Sequence, residues 1–171
     1  ELCIEAGFPK GVFNVIHGLG GEAGNAIVEH PDVPIISFTG GTSTGAHIAR
    51  TAAPMFKKLS LELGGKNPNI IFADCDYEDM LITTIRSSFG NQGQICLCGS
   101  RIFVQDSIYE QFKKDFVNVV SKQKVGHPSA PDTKIGALVS KPHLEKVLSY
   151  VDIAKAEGGK VLFGGKQITV E

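Results

Sequence analysis

Short apolar runs rich in branched residues alternate with amphipathic stretches, and glycine-rich turns separate the two. Residues 12–16 (VFNVI) predict a strand, GLGGEAG a turn, and residues 22–29 a helix. Residues 35–38 (IISF) read as a buried strand, TGGTSTG as the next turn, and Ala46, Ile48 and Ala49 as part of the helix that follows. Residues 59–63 (LSLEL) form a third predicted strand, with Leu59, Leu61 and Leu63 on one face and Ser60 and Glu62 on the other. Strand, glycine turn and helix in repetition predict a parallel sheet with helical crossovers.

GGKNPN breaks this rhythm and sets the expected domain boundary at Gly64-Gly65, dividing the chain into residues 1–64 and 65–171. Residues 70–72 predict a strand. Asp76 then serves as the N-cap of a helix, with Glu78 and Asp79 in its first turn and Leu81, Ile85 and Phe89 recurring every fourth position. Residues 101–105 (RIFVQ) are strand-like. SIYE, with Ser107 as the cap, reads as a capping box, and the helix behind it carries Phe112, Phe116, Val119 and Val120 on one face. GHPSAPDTKIG predicts a loop. A helix from about Lys141, with Leu144, Val147, Leu148 and Val151, ends at Gly158-Gly159, and residues 161–163 predict a last strand.

Composition adds little to this pattern. With 42% hydrophobic and 20% charged residues the chain is ordinary globular material. A net charge of −1 gives no footprint for nucleic acid or an anionic membrane. No apolar run approaches the roughly 20 residues that span a bilayer, and the first residues lack a signal-peptide pattern. Four cysteines without framework spacing point to reduced thiols and a cytoplasmic setting. The chain lacks an initiator methionine, opens as if inside a helix and stops just after a strand-like run, so it is expected to be a piece of something longer.

The candidate chemistry sits at the turns. GLGGEAG nearly fits the dinucleotide fingerprint, but its last glycine comes one residue late, and a plain strand-to-helix turn is the better reading. GGTSTG, from Gly40 to Gly45, lacks the Lys-Ser/Thr of a phosphate loop. It still follows a buried strand and opens a helix, which directs backbone N–H groups and the hydroxyls of Thr42, Ser43 and Thr44 at one spot. An N-capped helix without ligand is the alternative. Glu62 is either a solvent-facing side chain or a general base at the carboxyl end of a parallel strand, where such sheets bind ligands. Cys96 and Cys98 stand one residue apart in GNQGQICLCGSR. That spacing does not suit a zinc site of about four ligands, and a disulfide between them would be strained. A nucleophile with a packed neighbour and a pair of buried structural thiols both remain.

FGNQGQICLCGS resembles the cysteine signature of the aldehyde dehydrogenase family, and LELGGKNP resembles the same family's glutamate signature. The two occur in the family's order. GVFNVIHGLGGEAGNAIVEHPDVPIISFTGGTSTG is similar to its nucleotide-binding stretch, and KVGHPSAPDTKIGALVSKPHLEKVLSYV to its catalytic stretch. SSFGNQGQICLCGSRIFVQ is closest to the family's semialdehyde dehydrogenases. The resemblance implies an α/β fold in which residues 1–64 are the C-terminal half of a Rossmann-type NAD-binding domain and residues 65–171 the first part of the catalytic domain. It implies Cys96 as nucleophile and Glu62 as general base. Gly40, Gly41, Thr42, Ser43, Gly45 and Leu63 become cofactor contacts for NAD or NADP. Many members have Ser where Gly41 stands, so one hydroxyl contact is absent here.

The implied reaction oxidises a small aldehyde to an acid. A free thiol is mostly protonated at neutral pH, so the nucleophile needs a nearby base or positive field. The Cys96 thiolate adds to the carbonyl carbon, its backbone N–H helps hold the oxyanion, hydride passes to the cofactor, and Glu62 activates the water that hydrolyses the thioester. The resemblance also places an oxyanion-holding Asn and a ribose-binding Lys before the first residue given, and a ribose-contacting Glu and an oligomerisation arm after the last. The parent is therefore expected to be a homo-oligomer, and this chain alone to be inactive. Two rival readings are a non-catalytic truncation that pairs with full-length subunits, and a thiol-redox protein using Cys96 and Cys98.

Overall fold

The computed structural model describes residues 1–170. They form two compact units that divide after Leu63.

In the first unit a single helical turn, α1 (Leu2–Glu5), precedes a long exposed segment. A π turn at Gly20–Gly24 leads into α2 (Asn25–Glu29), a shorter helix than the pattern over 22–29 suggests. β1 (Ile35–Gly40), α3 (Thr42–Ala52) and β2 (Lys58–Leu63) then form a β–α–β unit with β1 and β2 paired in parallel. Val28, Ile36 and Ile48 make its core, with Val33, Phe38 and Leu61 packed against them. The crossover is closed by a buried cation. Phe56 adopts a left-handed conformation (φ 55°) and stands 93% exposed, while Lys57 beside it is only 9% exposed. The Lys57 ammonium donates to the carbonyls of Val28 and His30, both at 2.6 Å. These are carbonyls at the C-terminal end of α2, which lack helical partners and favour a positive charge.

The second unit pairs β3 (Pro68–Ile71) in parallel with β4 (Arg101–Val104) through α4 (Tyr77–Phe89). α5 (Asp106–Val120) packs on the same core. Ile71, Leu81, Ile85 and Phe112 are buried there, and Phe89, Phe116, Val119 and Val120 flank them. The periodic positions read from the sequence on α4 and α5 thus meet in one cluster. Phe112 stacks on Phe116 with centroids 5.0 Å apart. Asp76 caps α4 as expected, accepting from the Asp79 N–H at 3.2 Å. α6 (Lys141–Ala156) is capped by Ser140, which accepts from the His143 N–H at 3.3 Å.

Several expectations need correction. Residues 12–16 and 161–163 are not strands. Val12, Phe13, Val15 and Ile16 are exposed, as are Val161, Leu162 and Phe163. A strand is held by pairing with a neighbour, and among the described residues the only sheets are β1–β2 and β3–β4. Ser107 is not a cap: α5 starts at Asp106, with Gln105 two residues before Ser107 in the cap position and no side-chain capping bond. Gln105 itself leaves the strand. Its N–H donates to the Ile71 carbonyl (2.9 Å) and its side-chain oxygen accepts from the Ala73 N–H (2.9 Å), extending the β3–β4 ladder by one side chain.

Candidate active site

In the first unit, the parallel register sets Thr39 beside Glu62 and Gly40 beside Leu63. Glu62 is therefore at the carboxyl end of β2, level with the turn that opens α3. It is exposed, while Leu61 and Leu63 on either side are half-buried, as the alternation in LSLEL requires. Gly41 is the N-cap of α3 in extended conformation (φ −72°, ψ 146°) and the helix start has no side-chain capping bond. A Cβ at Gly41 would meet nothing within 4 Å, so there is open space beside the cap residue. Gly45 differs. A Cβ there would sit 2.7 Å from Leu63 Cδ2, so the glycine lets α3 lie close on the end of β2. Gly40, Gly41, Thr42, Ser43, Gly45, Glu62 and Leu63 thus gather at one edge of one β–α–β unit.

Cys96 belongs to the second unit. α4 ends at Phe89, and Asn91 (φ 48°), Gln92 (φ 56°) and Gly93 (φ 73°) follow in left-handed conformation. Glycine adopts this without strain and asparagine tolerates it, whereas Gln92 between them needs support. The glutamines of the motif supply it. With its amide turned to suit its neighbours, Gln92 accepts from the Gly136 N–H (2.9 Å) and donates to the Asn91 carbonyl (3.0 Å). Gln94 accepts from the Val139 N–H at 3.1 Å. The loop before α6 is thereby tied to the cysteine turn.

The two thiols are disposed differently. Cys96 is exposed and Cys98 is buried at 5%. The Cys98 N–H donates to the Ile95 carbonyl at 3.1 Å, and the Gly99 N–H donates to the Ser87 carbonyl at 3.3 Å. Ser88 donates to the Gly99 carbonyl at 3.0 Å. Cys98 is thus the anchored end of the turn and Cys96 its outward point. Neither is in a disulfide. Among the described residues no group of three or more His, Cys, Asp or Glu side chains converges as a metal site would require, and no helix is long and apolar enough to cross a membrane. An open cleft of about 400 Å³ runs along β3 and α4, lined by residues including Asn69, Ile71, Cys75 and Thr84; Cys96 is not part of its wall.

Sequence reasoning missed Gln92, Gln94 and Asn67. The Asn67 side chain donates to the Cys96 carbonyl at 2.7 Å. These are bonds between residues far apart in the chain, and periodicity carries no sign of them.

The chain belongs to the aldehyde dehydrogenase family, whose model matches residues 1–171. It is 57% identical to a 2-aminomuconic semialdehyde dehydrogenase of Danio rerio over 96% of the chain and 34% of that protein. The human protein of the same name is 56% identical over the same shares. Among solved structures, betaine aldehyde dehydrogenase of Staphylococcus aureus in complex with NAD+ superposes with a TM-score of 0.94 at 44% identity, covering 98% of this chain and 33% of that one. The chain spans about a third of the length of the curated relatives it matches.

Proposed function

We propose that this chain carries the nucleophile, the general base and part of the dinucleotide site of an NAD(P)-dependent dehydrogenase that oxidises an aldehyde, of the semialdehyde class, to a carboxylic acid. The observation that carries the reading is an exposed Cys96 on a turn held by side-chain bonds, in a chain of this family. Residues 1–64 act as the C-terminal half of the NAD-binding domain and residues 65–171 as the first part of the catalytic domain. Four unpaired cysteines suit work in a reducing, cytoplasmic compartment. The full-length parent is read as a homo-oligomer on the family resemblance alone.

The residues at the start of α3 fit a dinucleotide. An open Gly41, the first-turn N–H groups and the hydroxyl of Ser43 suit a pyrophosphate, and Gly45 keeps the helix close to Leu63. NAD, when bound, supplies the hydride acceptor. The rest belongs to the chain. The Cys96 sulfur bonds to the aldehyde carbon, and the Cys96 N–H donates to the resulting oxyanion. After oxidation to the thioester, Glu62 takes a proton from water as the water oxygen attacks the acyl carbon, and the Cys96 thiolate leaves.

The test is a chimera that sets this segment into the full-length Danio rerio relative. The expected outcome is NAD reduction coupled to acid formation from a semialdehyde, abolished by Cys96→Ala. Turnover that survives Cys96→Ala would refute the assignment.

A further inference from the structure

Asn67 is held from both sides before its side chain reaches Cys96. Lys66, ahead of it, is left-handed (φ 55°). Pro68, after it, restricts Asn67 itself to extended backbone. Arg101, at the start of β4, braces this short segment twice: its Nε donates to the Lys66 carbonyl at 2.7 Å and its backbone N–H to the Asn67 carbonyl at 3.3 Å. The Asn67 amide is therefore presented with little freedom, and it donates to the Cys96 carbonyl at 2.7 Å.

That bond completes a clamp. A peptide unit is planar and trans, so fixing its carbonyl also fixes the direction of its N–H. The Cys98 N–H bond to the Ile95 carbonyl sets the plane that carries the Cys96 N–H. The Asn67 bond sets the next plane, between Cys96 and Leu97. With both planes fixed, the Cα–Cβ bond of Cys96 has one direction. We propose that Asn67 is a positioning residue for Cys96: it holds the thiol and the Cys96 N–H in one mutual orientation, so that sulfur and oxyanion donor meet the same carbonyl group. This rests on the reading of Cys96 as the nucleophile.

Two reactions of the same thiol separate positioning from general integrity. Acylation by p-nitrophenyl acetate forms a bond from sulfur to the acyl carbon, passes through an oxyanion and expels nitrophenolate. Alkylation by iodoacetamide displaces iodide and has no oxyanion. Both are followed at Cys96 by peptide mapping on the full-length chimera described above, which restores the segments outside this chain. Asn67→Ala and the shape-conserving Asn67→Asp should lower the ratio of acylation to alkylation about tenfold, within the roughly 10² that small misplacements cost. Asn67→Gln, which keeps the donor, should restore part of it. Labelling the cysteine carbonyls of the chimera with ¹³C reads the bond directly: the Cys96 signal, assigned by its loss in Cys96→Ala, should move in the Asn67→Ala and Asn67→Asp variants and the other cysteine signals should not. An unchanged ratio in both variants, or an equal fall in both reactions, overturns the positioning role alone. A chimera with Asn67 intact in which Cys96 is acylated no faster than Cys3 or Cys75 overturns the nucleophile reading and the positioning role with it.

Discussion

Replacing Lys57 by Met tests whether the buried ammonium holds the first unit together. Its two bonds to the Val28 and His30 carbonyls are both 2.6 Å long, and the residue is 9% exposed. Hydrogen bonds to a charged group contribute about 1.5–3 kcal/mol each, so two contribute roughly 3–6 kcal/mol. Methionine keeps the apolar stem and returns about 2 kcal/mol by burial. The net loss expected is about 1–4 kcal/mol, toward the upper end because the carbonyls at the end of α2 stay behind without a donor. Urea unfolding followed by far-ultraviolet circular dichroism reads this as a lower midpoint at unchanged slope. A midpoint within error of the wild type would show that water replaces the ammonium at those carbonyls and that Lys57 is not a structural cation.

Three further outcomes follow from the structure. In the chimera, Glu62→Gln should give a burst of reduced nicotinamide without steady turnover, because thioester hydrolysis needs the base and thiolate addition does not; an unchanged steady rate would make Glu62 structural. Phe112→Ala should destabilise the second unit by about 3–5 kcal/mol, as expected for a buried aromatic whose ring stacks on Phe116, measured by the same urea transition. Tyr77 is pushed up to about 12 by burial first and then by its bond to the Asp115 carboxylate (2.9 Å). Its folded value lies above the unfolded one, so its contribution is fully present below about pH 10 and is lost as pH rises through 12; Tyr77→Phe should remove both the absorbance step near pH 12 and that alkaline loss of stability.

The elements that the sequence revealed best are those whose side chains meet inside one unit. Leu81, Ile85 and Phe89 on α4 and Phe112 and Phe116 on α5 repeat at helical spacing because they fill one core, and spacing alone exposed them. The strand faces of Leu61 and Glu62 were legible for the same reason, with period two. Residues 12–16 and 161–163 carry equally strong strand patterns, yet the pattern reports only a tendency to join a sheet, and their backbones have no strand beside them among the described residues. Helix starts were legible at Asp76, where the capping residue acts locally, and misread at Ser107, where Gln105 is drawn away by the Ala73 N–H across the ladder. Of the candidate site, the thiol and carboxylate stood out by residue type in a family motif. The amide side chains that shape the turn around Cys96 did not, because an amide side chain has no periodicity and its partner is fixed only by the folded chain.

The register of β1 and β2 makes the first unit a measuring device. Lys57 is fastened to the end of α2, and the strand that leaves it delivers Glu62 opposite Thr39. Along a strand each residue turns the next side chain to the other face, so a slip of one position exchanges Leu61 and Glu62 between core and solvent. The segment between Lys57 and Glu62 can therefore vary in its letters far more freely than in its count. Losing one residue there leaves the glutamate motif intact to any reader of the sequence, while either tearing the cation from its carbonyls or carrying the carboxylate to the wrong side of the sheet. Length, not identity, is the property that evolution or an engineer would find least negotiable in that stretch.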